Sequence, residues 1–290
     1  MLVSMKEMLL DADQKGYAVG CFNAVDLTMA RGVIEAAEAE NAPVILCHAE
    51  LHCKYTPLAK IAPILIEEAK NANVPVSVLL DHGKKFESIM QAIHLGFNAV
   101  MFDGSHLEYS ENVRQTAEIV RIAHTLGVTV EAELGQVARP KSGGADGEDD
   151  DSTIFDTSGY TDPERSGAFV EKTGIDCLAA AFGTVHGVYL AEPSLDIVRL
   201  KEIHRQCGVP VVMHGGSGLS EADFKECIQN GVSKINYYTN MALQCAQDIQ
   251  KRLQGKNEKV FYHTLMMWSI ESIAANVREA IRMFGSSKKA

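Results

Sequence analysis

The chain has 290 residues, 46% of them hydrophobic and 22% charged, which is enough for one large core and within the range of a single-domain α/β barrel. Its net charge of −11 argues against nucleic acid or an anionic membrane surface as the main partner. An anionic substrate would therefore need a local positive feature, such as a metal ion or backbone N–H groups.

Short apolar runs alternate with helix-length amphipathic segments from one end to the other. Candidate strands fall at 17–23, 43–47, 76–81, 99–103, 128–133, 177–182, 210–213 and 234–236. The runs around Val128-Thr-Val and Val209-Pro-Val-Val are β-branched and too short for helices. Segments 28–40, 111–126 and 220–230 carry Ala, Leu and Glu at helical spacing, with acidic or hydroxyl residues near their starts. Eight such units suggest a parallel sheet closed into a TIM (β/α)8 barrel, expected as one domain over 1–290. The rival, an open doubly wound sheet, needs a glycine-rich turn after its first strand, and Gly20-Cys-Phe-Asn23 provides none. Residues 136–159, with Gly143-Gly144 and the run Asp149-Asp150-Asp151, break the rhythm. They read either as a solvated acidic loop or as a lid over the fifth strand's C-terminal end. An extra amphipathic helix is expected over 267–284, docking on the barrel or on a neighbouring copy.

The seven cysteines are dispersed, with Cys21, Cys47 and Cys177 in or beside apolar runs. That pattern fits a reduced cytoplasm better than a disulfide framework. No basic-then-apolar leader or apolar run of membrane length is present, so a soluble, cytoplasmic protein is expected.

Nearly all of the informative polar residues that interrupt apolar strands lie at strand C-termini, the face that carries the active site of a TIM barrel. Asn23 ends the first strand, Asp81-His82-Gly83 the third, Asp103 the fourth and Glu133 the fifth. His186 follows the sixth, His214 the seventh, and Asn236 closes the eighth. Three imidazoles form a common catalytic zinc shell with a position left open for substrate oxygen. A single histidine after a strand is more often a capped or core residue; three at equivalent strand ends, each beside glycine, point to ligation. Asp103 and Glu133 are either hydrogen-bond partners of a ligand, an alternative ligand pair, or structural acceptors. His48 and His52 stand four apart, but Lys54 and Pro57 suggest a loop, so they are read as rim residues rather than ligands. Gly215-Gly216-Ser217-Gly218 and Asn236-Tyr237-Tyr238-Thr239 follow the seventh and eighth strands, where this architecture holds phosphate on backbone N–H groups and a helix N-terminus.

In this order, Leu80-Asp-His-Gly83, Phe102-Asp-Gly-Ser-His106, Val130-Glu-Ala-Glu-Leu-Gly135, Phe182-Gly-Thr-Val-His-Gly187, His214-Gly-Gly-Ser-Gly218 and the tail Phe284-Gly-Ser-Ser-Lys-Lys-Ala290 resemble the class II, metal-dependent fructose- and tagatose-bisphosphate aldolases. The resemblance runs over residues 3–290. It implies a lyase that reversibly cleaves a phosphorylated ketose to dihydroxyacetone phosphate and an aldehyde through a zinc-stabilised enediolate. His82, His186 and His214 would bind catalytic Zn2+, with Asp103 and Glu133 near the metal as a second or alternative position. A monovalent cation is a further candidate cofactor. Asp81 would act as general acid/base, and Asn236 would hydrogen-bond the developing charge. Gly187, Gly215, Ser217, Asn236 and Thr239 would hold the dihydroxyacetone-phosphate half, with Asn23, Gly216, Tyr237 and Tyr238 beside them. A lid glutamate would exchange the carbon-bound proton; Glu148 is the choice here, with Asp146 as runner-up. The resemblance and the tail helix together favour a homodimer or homotetramer.

The chain departs from the family pattern at Asn236-Tyr-Tyr-Thr-Asn240, where fructose-type enzymes carry Asn-x-Asp-Thr-Asp, and at Ala242, where a basic residue is common. The acceptor aldehyde is therefore expected to differ from glyceraldehyde 3-phosphate. The alternatives are a metal-dependent sugar-phosphate isomerase or epimerase on the same barrel, a Schiff-base aldolase using Lys234, and a catalytically silent scaffold.

Overall fold

The computed structural model describes residues 1–138, 157–187, 189, 193–254 and 259–290. Eight strands close into a parallel barrel in sequence order, each hydrogen-bonded to the next and the eighth to the first. They are β1 (Val19–Asn23), β2 (Val44–Ala49), β3 (Val76–Gly83), β4 (Ala99–Phe102), β5 (Thr129–Leu134), β6 (Cys177–Ala180), β7 (Val211–Met213) and β8 (Val232–Tyr237). All eight expected strands are present, and only their ends differ. β2, β3 and β8 are longer than their apolar runs because neighbouring strands continue to pair with them, whereas β6 stops at Ala180.

The helices are α1 (Met5–Lys15), α2 (Leu27–Glu40), α3 (Leu58–Asn71), α4 (Phe86–Leu95), α5 (Tyr109–Thr125), α6 (Pro163–Thr173), α7 (Ile197–Cys207), α8 (Glu221–Gln229), α9 (Thr239–Gln254) and α10 (Tyr262–Met283). Their boundaries follow local chemistry. Asp26 caps α2 by accepting from Met29 N at 2.8 Å, and Asp162 with Pro163 behind it starts α6. Ser220 and Asp223 form a reciprocal capping box on α8. Gly96, Gly174 and Gly208 take the left-handed conformation that ends α4, α6 and α7.

Two apolar layers result. One lies between strands and helices; the other fills the barrel, where Cys21, Ile45, Cys47, Leu79, Met101, Cys177 and Val212 meet. Met5, Leu9 and Ala12 of α1 join the inner layer, so this helix, absent from the sequence reading, covers the N-terminal end of the barrel. The extra C-terminal helix is present as α10, beginning at Tyr262, and packs along α2 and α9. Phe284 behind it is fully buried against Phe224 (ring centroids 5.0 Å apart) and Tyr237 (6.0 Å). With its N-terminal end covered, the barrel presents a pocket at its C-terminal end, lined by Asn23, Asp81, His82, His214 and Asn236 among others. No helix among the described residues is long and apolar enough to cross a membrane.

Candidate active site

Asp81 and His82 are consecutive on β3, and strict alternation would send them to opposite faces. The pairing of β3 with β4 shifts register between Leu80 and Gly83, and His82 takes a left-handed backbone with φ +46°. A non-glycine residue in that region costs about 1–3 kcal/mol and persists where surrounding structure enforces it, characteristically at functional sites. The irregularity lets both side chains line one pocket, together with His186 and His214.

The three imidazoles stand edge to face, with centroids 4.6 Å apart for His82–His214, 5.1 Å for His82–His186 and 5.7 Å for His186–His214. One ring nitrogen of each can be chosen so that all three lie within 4.8 Å of one another. His214 Nε2 meets Glu131 Oε1 at 2.9 Å, while its Nδ1 is buried with no hydrogen-bond partner. A buried ring nitrogen without a partner is costly unless something binds it. Neutral imidazole donors suit a borderline-soft divalent cation, so this set fits zinc. His82 Nδ1 lies 3.0 Å from Asp103 Oδ2 and 3.8 Å from Glu133 Oε2, which makes His82 the junction of a second potential ligand group with those carboxylates. Among the described residues, neither metal-capable group includes His48 or His52. Both ring nitrogens of His48 face backbone carbonyls, Ala24 O at 2.9 Å and Thr56 O at 3.0 Å, so His48 ties the loop after β2 to the barrel.

Asp81 is buried between two amides. Asn23 Nδ2 donates to Oδ2 at 2.9 Å, and Asn236 Nδ2 donates to Oδ1 at 3.0 Å. Burial by itself would raise the Asp81 pKa, but His82, His214, Lys234 and the Asn23 bond outweigh it and lower the value. Burial likewise opposes charge on His82, yet Asp81, Asp103 and Glu133 raise its pKa to about 9. For His214, burial and the neighbouring His82 and Lys234 push the pKa well below the usual histidine range. The shifts of His82 and His214 thus run in opposite directions although both rings line one pocket.

Gly187, Gly215, Gly216, Ser217, Tyr237, Tyr238 and Thr239 line the same pocket, as do Asn23 and Asn236. Gly215 has φ +70°, and a Cβ there would sit 2.5 Å from the carbonyl oxygen of Val185, so only glycine lets the two loops approach. Tyr189 braces the junction, its hydroxyl donating to Gly215 O at 2.8 Å and accepting from Val185 N at 3.0 Å. Thr239 opens α9, whose N-terminus adds its dipole to the cradle. The Tyr237 ring packs on Phe22 and Phe284, so it supports the pocket wall from the outer layer. The His52 ring lies 4.7 Å from that of Tyr238, and His52, Leu51 and Ala49 line the same pocket.

Ala242 does not line this pocket; it faces a separate hollow with Met29, Cys245 and Leu265, because α9 has turned away from the barrel mouth by then. Lys234 is fully buried, with Nζ 2.8 Å from Glu131 Oε2 and 2.7 Å from Asn236 Oδ1, and its pKa is raised. A protonated, hydrogen-bonded lysine is not a Schiff-base nucleophile. Glu148 and Asp146 lie outside the described residues. Glu131 and its pairing with Lys234 escaped the sequence reading, although Glu131 stands two residues before Glu133 and must share its inward face.

Residues 3–289 match the family model described as fructose-bisphosphate aldolase class-II. The chain belongs to the class II fructose-bisphosphate aldolase family. Its relatives include a protein of Bacillus subtilis named "probable fructose-bisphosphate aldolase", 42% identical over 100% of this chain and 99% of that one. The fructose-bisphosphate aldolase of Staphylococcus epidermidis is 39% identical with the same coverage. Among solved structures, the YdjI aldolase of Escherichia coli superposes with a TM-score of 0.88 at 34% identity, covering 100% of both chains. This class II aldolase is therefore a lyase, and its reaction is reversible aldol cleavage.

Proposed function

We propose that the chain cleaves a ketose 1-phosphate to dihydroxyacetone phosphate and an aldehyde, using a divalent metal held by His82, His186 and His214. The observation that carries this is the convergence of three histidines and buried Asp81 over a glycine-lined cradle in one pocket. Zinc bound there would supply a Lewis acid for the ketone and hydroxyl oxygens of the substrate. The cradle of Gly187, Gly215, Gly216, Ser217 and Thr239 binds the phosphate through backbone N–H groups, hydroxyls and the α9 terminus. Asp81 accepts the proton of the hydroxyl on the carbon being released, and returns it in the synthetic direction. Asn236 and Asn23 fix that carboxylate, and Asn236 Nδ2 also stands ready to donate to charge developing on substrate oxygen. Asp103 holds the His82 ring, with Glu133 beside it as a further acceptor or an alternative metal position. Glu148 is retained as the group that exchanges the carbon-bound proton.

The acceptor end supports a substrate other than a bisphosphate. Among the described residues that line the pocket there is no lysine or arginine, and Ala49, Leu51, His52 and Tyr238 line it beside the cradle residues. A second phosphate would lose its hydration there without meeting a fixed cation. Comparing kcat/KM for ketose 1-phosphates and fructose 1,6-bisphosphate tests this; a strong preference for the bisphosphate overturns it. We also propose a homodimer or homotetramer, supported by exposed Phe261, Tyr262 and Met267 at the start of α10 and read by sedimentation velocity.

The central test needs no choice of aldehyde. Stereospecific deuterium exchange into dihydroxyacetone phosphate, lost on chelation and restored by zinc, is the expected result. A folded, zinc-loaded protein that gives no exchange would remove dihydroxyacetone phosphate as the donor product.

A further inference from the structure

Two buried charges lie beneath the site and take no part in the mechanism above. Glu131 on β5 and Lys234 on β8 are both fully inaccessible, each two residues below a side chain of the site, Glu133 and Asn236. Lys234 Nζ is 2.8 Å from Glu131 Oε2 and donates to Asn236 Oδ1 at 2.7 Å. Glu131 Oε1 meets His214 Nε2 at 2.9 Å, and Asn236 Nδ2 donates to Asp81 Oδ1 at 3.0 Å. A continuous chain, Asp81–Asn236–Lys234–Glu131–His214, thus crosses the barrel from the proton-transfer carboxylate to a metal ligand.

Each link has only one possible polarity. An ammonium has donors and no acceptor, so it must meet the oxygen of the Asn236 amide and turn the NH2 toward Asp81. An ionised carboxylate has acceptors only, so the His214 nitrogen facing Glu131 must carry the hydrogen, leaving the lone pair on Nδ1. That Nδ1 is the buried nitrogen without a hydrogen-bond partner. Asn23 repeats the device from the other side, since Ala49 N donates to its oxygen at 2.9 Å and turns its NH2 to Asp81. The Glu131 carboxylate 2.8 Å from Nζ supplies the counter-charge that keeps Lys234 a donor. A buried ion pair is a weak source of stability compared with apolar packing, and apolar side chains such as Leu79, Met101 and Val212 pack inside the same barrel. Orientation is what the pair supplies that packing would not.

We propose that the Glu131–Lys234 pair is a positioning device that sets the His214 tautomer and the Asn236 amide orientation together, presenting the metal-binding nitrogen and the amide facing Asp81 as one unit. The inference rests on the reading of His214 as a metal ligand and Asp81 as the proton acceptor.

The first test uses the wild-type, metal-free protein labelled with 15N-histidine. The expected spectrum shows His214 as the Nε2–H tautomer; an Nδ1–H tautomer or an even mixture overturns the proposal. The second test uses variants. In Glu131→Gln the amide can donate as well as accept, so the tautomer preference is lost and the zinc dissociation constant, measured against a competing chelator, rises about 10–100-fold. In Lys234→Met the Asn236 amide is released and Glu131 is left without its counter-ion, so kcat falls about 10–100-fold. Unchanged zinc affinity in Glu131→Gln, or an unchanged kcat in Lys234→Met, overturns the proposal. Should either single variant fail to fold, the charge-neutral double variant Glu131→Gln/Lys234→Met is expected to show both losses, and wild-type values in it would overturn the idea. His214→Ala separates the two layers of argument. If it retains full zinc affinity, the ligand reading itself falls; if it loses zinc while Glu131→Gln does not, only the pair's role falls.

Discussion

Replacing Asp81 by asparagine changes one atom type at the centre of the pocket. In the native site each carboxylate oxygen accepts from an amide, Asn23 Nδ2 at 2.9 Å and Asn236 Nδ2 at 3.0 Å. Neither amide can turn round, because Ala49 N–H holds the Asn23 oxygen and Lys234 holds the Asn236 oxygen. The new side chain must therefore point an NH2 at one of two fixed NH2 groups. One charge-assisted bond, about 1.5–3 kcal/mol, is lost and one buried donor, about 1–3 kcal/mol, is stranded. Removing a buried charge offsets part of that, so a net destabilisation of about 1–3 kcal/mol is expected, which a domain of ordinary stability survives. Loss of the acid–base group costs more in rate, about 10²–10⁴-fold in kcat, or about 2.7–5.4 kcal/mol at ~1.36 kcal/mol per tenfold. The assay is ketose 1-phosphate cleavage followed by aldehyde release, with zinc content and thermal unfolding measured on the same sample. Dihydroxyacetone phosphate exchange should persist, because Asp81 serves the hydroxyl of the departing half. A folded, zinc-loaded Asp81→Asn protein with kcat within about tenfold of wild type would refute the assignment of Asp81.

Substituting His186 or His214 by alanine should drop the zinc content well below one ion per chain, read by elemental analysis after dialysis; full occupancy would reject the three-histidine set. Phe284→Ala empties a fully buried ring site against Phe224 and Tyr237, and should cost about 3–5 kcal/mol in denaturant unfolding. A loss under about 1 kcal/mol would mean that the tail does not support the barrel. His204 and Asp13 pair at 2.9 Å, which raises the His204 pKa and lowers that of Asp13. The His204 contribution is complete below the unfolded histidine pKa and is lost as pH rises through the raised folded value. The Asp13 contribution is complete above the unfolded carboxylate pKa and is lost as pH falls through the lowered folded value. The pair therefore stabilises most between about pH 4 and 6.5, by less than about 1 kcal/mol at this exposure. His204→Ala should flatten stability across that window, and an unchanged pH profile would contradict the pairing.

Local chemistry determined much of this protein before any tertiary contact was considered. Apolar runs of strand length spaced by amphipathic helices specify an eight-stranded barrel, because each run must bury both faces. Hydrophilic residues gathered at the C-terminal ends of those runs mark the site, and Asp81, His82, His186 and His214 all line one pocket in the structure. The same alternation made Lys234 and Asn236 face inward together.

Closure of the barrel decided the rest, because it brings together residues whose relation leaves no trace in spacing. Lys234 is set against Glu131 and its amine is committed to an ion pair, which no reading of β8 alone could show. The shifted β3–β4 register turns His82 into the pocket despite its place next to Asp81. The course of α9 carries Ala242 out of the pocket, while the loop after β2 brings His52 against Tyr238, a contact between two positions that the linear pattern named only separately. Strand and helix periods fix which way a side chain points; only the closed ring of strands fixes what it meets there.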